Sequence, residues 1–110
     1  DLYDKHLSNV KSIKIVKTNI WVGKSSRHLY QIRVLNKNRD LVINELYNQN
    51  IFPGVHYIDN TEYDLYKKYK GTCPNANQYS KELITLPIHL DISNEDVTYI
   101  SNKLKSIVNE

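Results

Sequence analysis

Residues 28–50 read HLYQIRVLNKNRDLVINELYNQN, and two periodicities meet inside that stretch. From His28 to Leu35 the pattern alternates: Tyr30, Ile32 and Val34 fall on one face, Gln31 and Arg33 on the other, which is the period of a β-strand. Asn36-Lys37-Asn38 reads as a turn, and the Asn38 side chain can cap a helix that follows it. Leu41, Val42, Glu45 and Leu46 then give a helix with an inner stripe, flanked by Tyr47. Its end is expected near Asn50, because asparagine best tolerates the left-handed stop conformation among residues other than glycine. A strand that turns directly into a helix points to an α/β domain.

The same reading extends outward. Leu2, Tyr3, His6, Leu7, Val10 and Ile13 recur at three-to-four spacing and predict a helix over Leu2 to Ile13. Lys14 to Val22, with Trp21, reads as a strand or an extended arm, and Gly23 to Arg27 as a loop. Downstream, Val55 to Ile58 is expected as a second strand, and Thr61 to Tyr69 as a one-sided helix closed by Gly71. Pro74 to Glu82 reads as a further helical stretch. Leu83 to Leu90 alternates, but Pro87 breaks its ladder and places it at a sheet edge. Ser93 is a helix cap with Asp96 near the positive end, and Val97, Ile100, Leu104 and Ile107 form the inner stripe of the last helix. Three strands separated by helices on a short chain fit a two-layer α/β sandwich, one domain over residues 1–110.

Composition narrows the function classes. With 110 residues, 40% hydrophobic and 25% charged, the chain can bury a modest core. A net charge of +3, spread along the sequence, is too weak to argue for nucleic acid. The single Cys73 rules out an intrachain disulfide and is compatible with a reducing cytoplasm. No apolar run reaches the length of a membrane span. The sequence contains no methionine, which leads us to expect a piece of a longer polypeptide.

Several residues are candidates for chemistry. His56-Tyr57 ends the expected second strand, and imidazole and phenol can both hydrogen-bond hydroxyls or phosphate oxygens. The structural alternative is a core tyrosine with its hydroxyl at the rim beside a satisfied histidine. In the polar turn Asp59-Asn60-Thr61, Asn60 and Thr61 can face a ligand or cap the next helix. Arg27 and His28, behind Ser25-Ser26, can meet phosphates or simply open the strand. The Arg27 fork suits a carboxylate or a phosphate. His6, His28, His56, His89 and Cys73 lack the close spacing of a zinc site. Cys73 has no local base to activate it. Tyr63, Tyr66 and Tyr69 with Lys67, Lys68 and Lys70 could stack on nucleic acid, but their spacing better fits an amphipathic helix.

Taken in order, Arg27-His28-Leu29-Tyr30, Arg39-Asp40, Pro53-Gly54-Val55-His56-Tyr57, Cys73-Pro74 followed by Ala76, Leu86-Pro87, and Ser93 with Glu95-Asp96-Val97 resemble the C-terminal small domain of the DegT/DnrJ/EryC1/StrS aminotransferases. The resemblance covers nearly the whole chain. It implies a small three-stranded sheet, mainly antiparallel or mixed. It implies a parent enzyme that uses pyridoxal phosphate to move an amino group from glutamate to a nucleotide-linked keto sugar. The cofactor lysine would lie in a large domain absent from this chain, and the enzyme would be a cytoplasmic homodimer. His56 and Tyr57 would sit at the mouth of the active site, with Arg27, His28, Asn60 and Thr61 as further substrate contacts. No catalytic residue and no metal ligand is assigned to this chain, and no cofactor is expected on it alone. Many relatives read His-Tyr-x-Pro-x-His. Here Asp59 replaces that proline and Thr61 the second histidine, so different sugar contacts are expected. The rival readings are a free-standing interaction module and a nucleic-acid-binding sandwich.

Overall fold

The computed structural model describes residues 2–17, 23 and 25–109. In chain order the elements are α1 (Leu2–Leu7), β1 (Ile13–Ile15), β2 (Tyr30–Val34), α2 (Arg39–Tyr47), two 3₁₀ segments (Asn60–Glu62 and Asp64–Tyr69), α3 (Pro74–Glu82), β3 (Leu83–Leu86) and α4 (Asn94–Val108). The three strands form one antiparallel sheet with β2 in the centre. Ile13 pairs with Val34 and Ile15 with Ile32 on one side. Tyr30 pairs with Leu86, and Ile32 with Ile84, on the other.

That register puts the apolar positions of β1 and β2, with Ile84 and Leu86 of β3, on the same face, while Leu83 falls on the other. Ile13, Tyr30, Ile32, Val34, Ile84 and Leu86 are buried there together with Val42 and Leu46 of α2, Tyr3 and Leu7 of α1, and the inner stripe of α4. Helix α4 packs against both α1 and α2 and closes this layer. Burial of each large aliphatic side chain contributes about 2 kcal/mol, and this face is the main source of stability. The opposite face carries Gln31, Arg33 and Thr85, and α3 lies against it.

The helix ends follow their sequence signals. The Asn38 side chain accepts from the N–H groups of Asp40 and Leu41, and Asn50 takes φ +58° after α2. Ser93 and Asp96 form a reciprocal capping box at the start of α4. Beyond α4, Asn109 closes the helix at φ +63°.

Five expectations are corrected. Helix α1 stops at Leu7, because Ser8 and Asn9 favour turns over helix interiors. Val10 and Ile13 still reach the core through successive turns, with N–H groups donating to Leu7 and Val10 carbonyls. Residues 55–58 form no strand. Gly54 alone bridges Thr85, exchanging both backbone hydrogen bonds at 2.9 and 2.8 Å, and the chain then leaves the sheet. The third strand is β1 instead; residues 18–22 of the expected arm lie outside the described residues. In α2, Val42 and Leu46 point inward with half-buried Ile43 packed beside them, while Leu41 is 60% exposed and Glu45 is also outside. Finally, residues 60–69 are 3₁₀ rather than α-helical. Tyr63, Tyr66 and Tyr69 recur every third residue, which matches three residues per turn, and the Asp64–Tyr69 segment buries none of its residues.

Candidate functional site

The polar face of the sheet and its two flanks hold the candidate residues. The first flank is a cleft of about 240 Å³ beside the start of β2, lined by Ser25, Arg27, His28, Tyr30 and Gln31 with Ile15 and Lys17. Arg27 adopts φ +48°, and its Nη1 donates to Asp4 Oδ2 at 2.6 Å. The Tyr30 hydroxyl donates to the other oxygen of the same carboxylate at 2.7 Å. Burial would push the Asp4 carboxyl up, but the hydrogen bonds from Arg27 and Tyr30, with the Arg27 charge, outweigh it and hold the group below the usual aspartate range. Burial, then the bond to Asp4, pushes the Tyr30 phenol well above the usual tyrosine range. Tyr3 stacks on Tyr30 with ring centroids 4.7 Å apart and donates to the Pro87 carbonyl at 2.9 Å. Arg27 therefore does meet a carboxylate, as its fork suggests, but the carboxylate belongs to α1. His28 stays exposed at the rim.

The second flank is a cleft of about 440 Å³ between residues 57–61 and α3, lined by Tyr57, Ile58, Asp59, Asn60 and Thr61 on one side and by Cys73, Ala76, Tyr79, Ser80 and Leu83 on the other. Asp59 is 5% exposed and organises this turn. Its Oδ1 accepts from both the Thr61 N–H and the Thr61 hydroxyl at 2.9 Å. The cap is thus Asp59, not Asn60 or Thr61. The Thr61 backbone N–H is the chief cause holding the Asp59 carboxyl low; the Thr61 hydroxyl, Asn77 and the Lys70 charge act the same way against burial. Thr61 is buried with its proton donated, whereas Asn60 and Tyr57 are exposed. The Cys73 thiol is exposed, and its 3.8 Å contact is the Thr72 hydroxyl, which is no base.

His56 lies between the flanks and lines neither. Its Nδ1 is 3.0 Å from Thr85 Oγ1, and its backbone carbonyl accepts from Gln31 Nε2. The His56–Tyr57 peptide is cis. Gln31 lines the first cleft and Tyr57 the second, so this one segment connects them. Sequence reasoning missed Asp4, Gln31, Thr85 and Tyr79 as partners. Gln31 alone left a signal, as a polar residue on the outer face of a central strand.

The rims of these clefts present hydroxyls, an amide, an imidazole and a phenol, groups that hydrogen-bond hydroxyls and phosphate oxygens, while much of their lining is apolar. Among the described residues no group of three or more His, Cys, Asp or Glu could hold a metal. The arrangement is that of a small α/β domain with two open clefts on its surface.

Comparison with known proteins gives that class its family. The chain matches the DegT/DnrJ/EryC1/StrS aminotransferase family over residues 1–105, and it belongs to that family. It is 31% identical to an uncharacterized protein of Methanocaldococcus jannaschii, over 99% of this chain and 30% of that protein. It is 27% identical to the UDP-4-amino-4,6-dideoxy-N-acetyl-β-L-altrosamine transaminase of Campylobacter jejuni, over 98% of this chain and 30% of the relative. Among solved structures it resembles the PLP form of a protein described as a sugar aminotransferase from Streptococcus pneumoniae, at 29% identity and a TM-score of 0.84, covering 99% of this chain and 29% of that one. The chain thus spans about 30% of the length of the curated relatives it matches.

Pyridoxal phosphate needs a desolvated, positioned amine for its Schiff base. Every lysine among the described residues is exposed or half-buried, and half-buried Lys37 donates to the Ile107 carbonyl. None of the described lysines is therefore placed to form that Schiff base.

Proposed function

We propose that this chain is the C-terminal small domain of a pyridoxal-phosphate-dependent aminotransferase that transfers an amino group from glutamate to a nucleotide-linked keto sugar. The large domain would supply the cofactor lysine. The parent enzyme would be a cytoplasmic homodimer; among the described residues, no helix is long and apolar enough to cross a membrane. The observation that carries the reading is the cleft beneath Tyr57, Asn60 and Thr61. It is a mainly apolar cleft with Tyr57 and Asn60 exposed at its edge, its turn held by Asp59 and its far side formed by α3, in a chain of this family. Its work is orientation: exposed Tyr57 and Asn60, with His28 across the polar face, hold the sugar nucleotide against the missing half. Replacement of the second histidine by Thr61 shifts those contacts toward Tyr57 and Asn60. The isolated chain would be inactive, giving no stable visible band with pyridoxal phosphate and no glutamate-dependent turnover.

The test is Tyr57→Ala in the longer polypeptide. The KM for the sugar nucleotide rises about tenfold, a loss of about 1.4 kcal/mol, and the half-reaction with glutamate is unchanged. Equal damage to both half-reactions, or to neither, refutes the sugar-wall reading.

A further inference from the structure

His56 and Tyr57 are neighbours, yet the structure gives them different surroundings. Tyr57 is 74% exposed, and its ring meets the His56 imidazole edge-on at 5.1 Å and 88°. The imidazole is half-buried with Thr85 and Gly54 against the ring, and the backbone of the same residue is held by Gln31. Thr85 Oγ1 lies 3.0 Å from Nδ1. Gln31 Nε2 donates to the carbonyl of the same residue. Gly54, itself bridged to Thr85 through both backbone groups, lies against the ring so closely that a Cβ there would stand 2.7 Å from His56 Cε1. Gly54 is therefore a space requirement of the imidazole: any side chain at that position displaces the ring.

We propose that His56 is a positioning residue rather than a substrate contact. Its imidazole pins residues 54–57 to the polar face of the sheet through Thr85, and the pinned ring is the surface that orients Tyr57 over the second cleft. Gly54 and Thr85 act through His56, and Gln31 sets the same segment from the side of the first cleft. An otherwise exposed phenol then starts from a restricted set of directions, so less orientational freedom is lost when a ligand binds. The consequence for sugar binding rests on the proposed function; the pin itself does not.

The experiment separates the two. In the 110-residue chain, Thr85→Val keeps the shape and both backbone bridges to Gly54 while removing the hydroxyl; Thr85→Ser restores it. NMR of the imidazole nitrogens reports the Thr85 bond, and cross-relaxation between the His56 and Tyr57 rings reports their contact. Thr85→Val is expected to average the imidazole tautomers and abolish the ring-to-ring signal, and Thr85→Ser to keep both. Gly54→Ala should match Thr85→Val; if it fails to fold, the Val/Ser pair decides alone. An unchanged ring-to-ring signal in Thr85→Val overturns the pin. In the longer polypeptide, Thr85→Val should raise the sugar-nucleotide KM about three- to tenfold, as expected for one lost hydrogen bond, and have no further effect in a His56→Ala background. Additive effects in that background overturn the route through His56. A lost ring signal with unchanged KM upholds the pin and overturns the sugar-wall reading.

Discussion

Arg33→Met tests how the second cleft is held. Arg33 is 8% exposed; its Nε donates to Glu82 Oε2 at 2.7 Å, and its Nη2 forms an ion pair with the same oxygen at 2.6 Å. The guanidinium also lies 3.8 Å over the centre of the Tyr79 ring. Both partners belong to α3, whose Ala76, Tyr79 and Ser80 line the cleft. Methionine refills part of the volume but leaves Glu82 without its cation and Tyr79 without its cap. Charged hydrogen bonds of this kind contribute about 1.5–3 kcal/mol, and the ring contact about 1 kcal/mol. Breaking a fully buried pair costs about 3–5 kcal/mol, but the Glu82 side chain keeps 21% of its exposure and some water. We therefore expect a loss of about 2–3 kcal/mol. In urea, with m near 1–1.5 kcal/mol/M for a small domain, the midpoint should fall by about 2 M at constant m. Arg33→Lys should recover only part of this, because an ammonium lacks the planar fork. Arg33→Met with Glu82→Leu should recover most of it, since the uncompensated carboxylate is gone. A loss below about 0.5 kcal/mol for Arg33→Met, or a double variant no better than the single one, refutes the reasoning.

Three further outcomes follow from the geometry. Ser93→Ala removes one side of the α4 capping box and should cost about 1 kcal/mol by urea unfolding. Leu104→Ala, at a position with no exposure in the middle of α4, should cost about 2–5 kcal/mol and lower the calorimetric midpoint by ten degrees or more on that scale. Acid should destabilise the chain. The Asp4, Asp59 and Asp96 carboxyls are all held below the free aspartate value, so their contribution is complete above about pH 4 and is lost as pH falls through the lowered values. The urea midpoint should therefore be flat from pH 7 to about 5 and drop below pH 4; Asp4→Asn should be less stable at pH 7 and show a smaller drop.

Much of the fold was legible because it is written in local period. The alternation of Tyr30, Ile32 and Val34, the Asn38 and Ser93 caps, the Asn50 stop and the α4 stripe all survive in the structure. What failed was decided by hydrogen-bond partners or by helix type. Residues 55–58 carry a strand-like composition, but the ladder stops at Gly54, which bridges Thr85 before the chain leaves the sheet. Ile13–Ile15 carries a weaker pattern and becomes a strand because β2 offers it a full register. Tyr63, Tyr66 and Tyr69 were legible as a stripe, but a stripe of period three does not say whether its face turns inward, and here it does not.

The site was legible as a set of polar residues and illegible as a set of commitments. Whether a side chain remains available to a ligand depends on partners far along the chain. Arg27 is engaged by Asp4, 23 positions away, and His56 by Thr85, 29 positions away. Thr61 is engaged locally by Asp59, at the position that departs from the His-Tyr-x-Pro-x-His pattern. A proline there could supply no carboxylate, so the two departures in this turn are one physical change: Asp59 accepts both protons that Thr61 has to give. That leaves His28, Tyr57 and Asn60 as the exposed groups among the six candidates. Side chains that have already spent their hydrogen bonds set the shape of a surface, while exposed ones are free to meet a ligand. Changes at Arg27, His56 or Thr61 should therefore disturb geometry and stability together, and changes at His28 or Asn60 should alter ligand affinity at nearly constant stability. A destabilising Asn60→Ala with unaltered affinity would reverse that division.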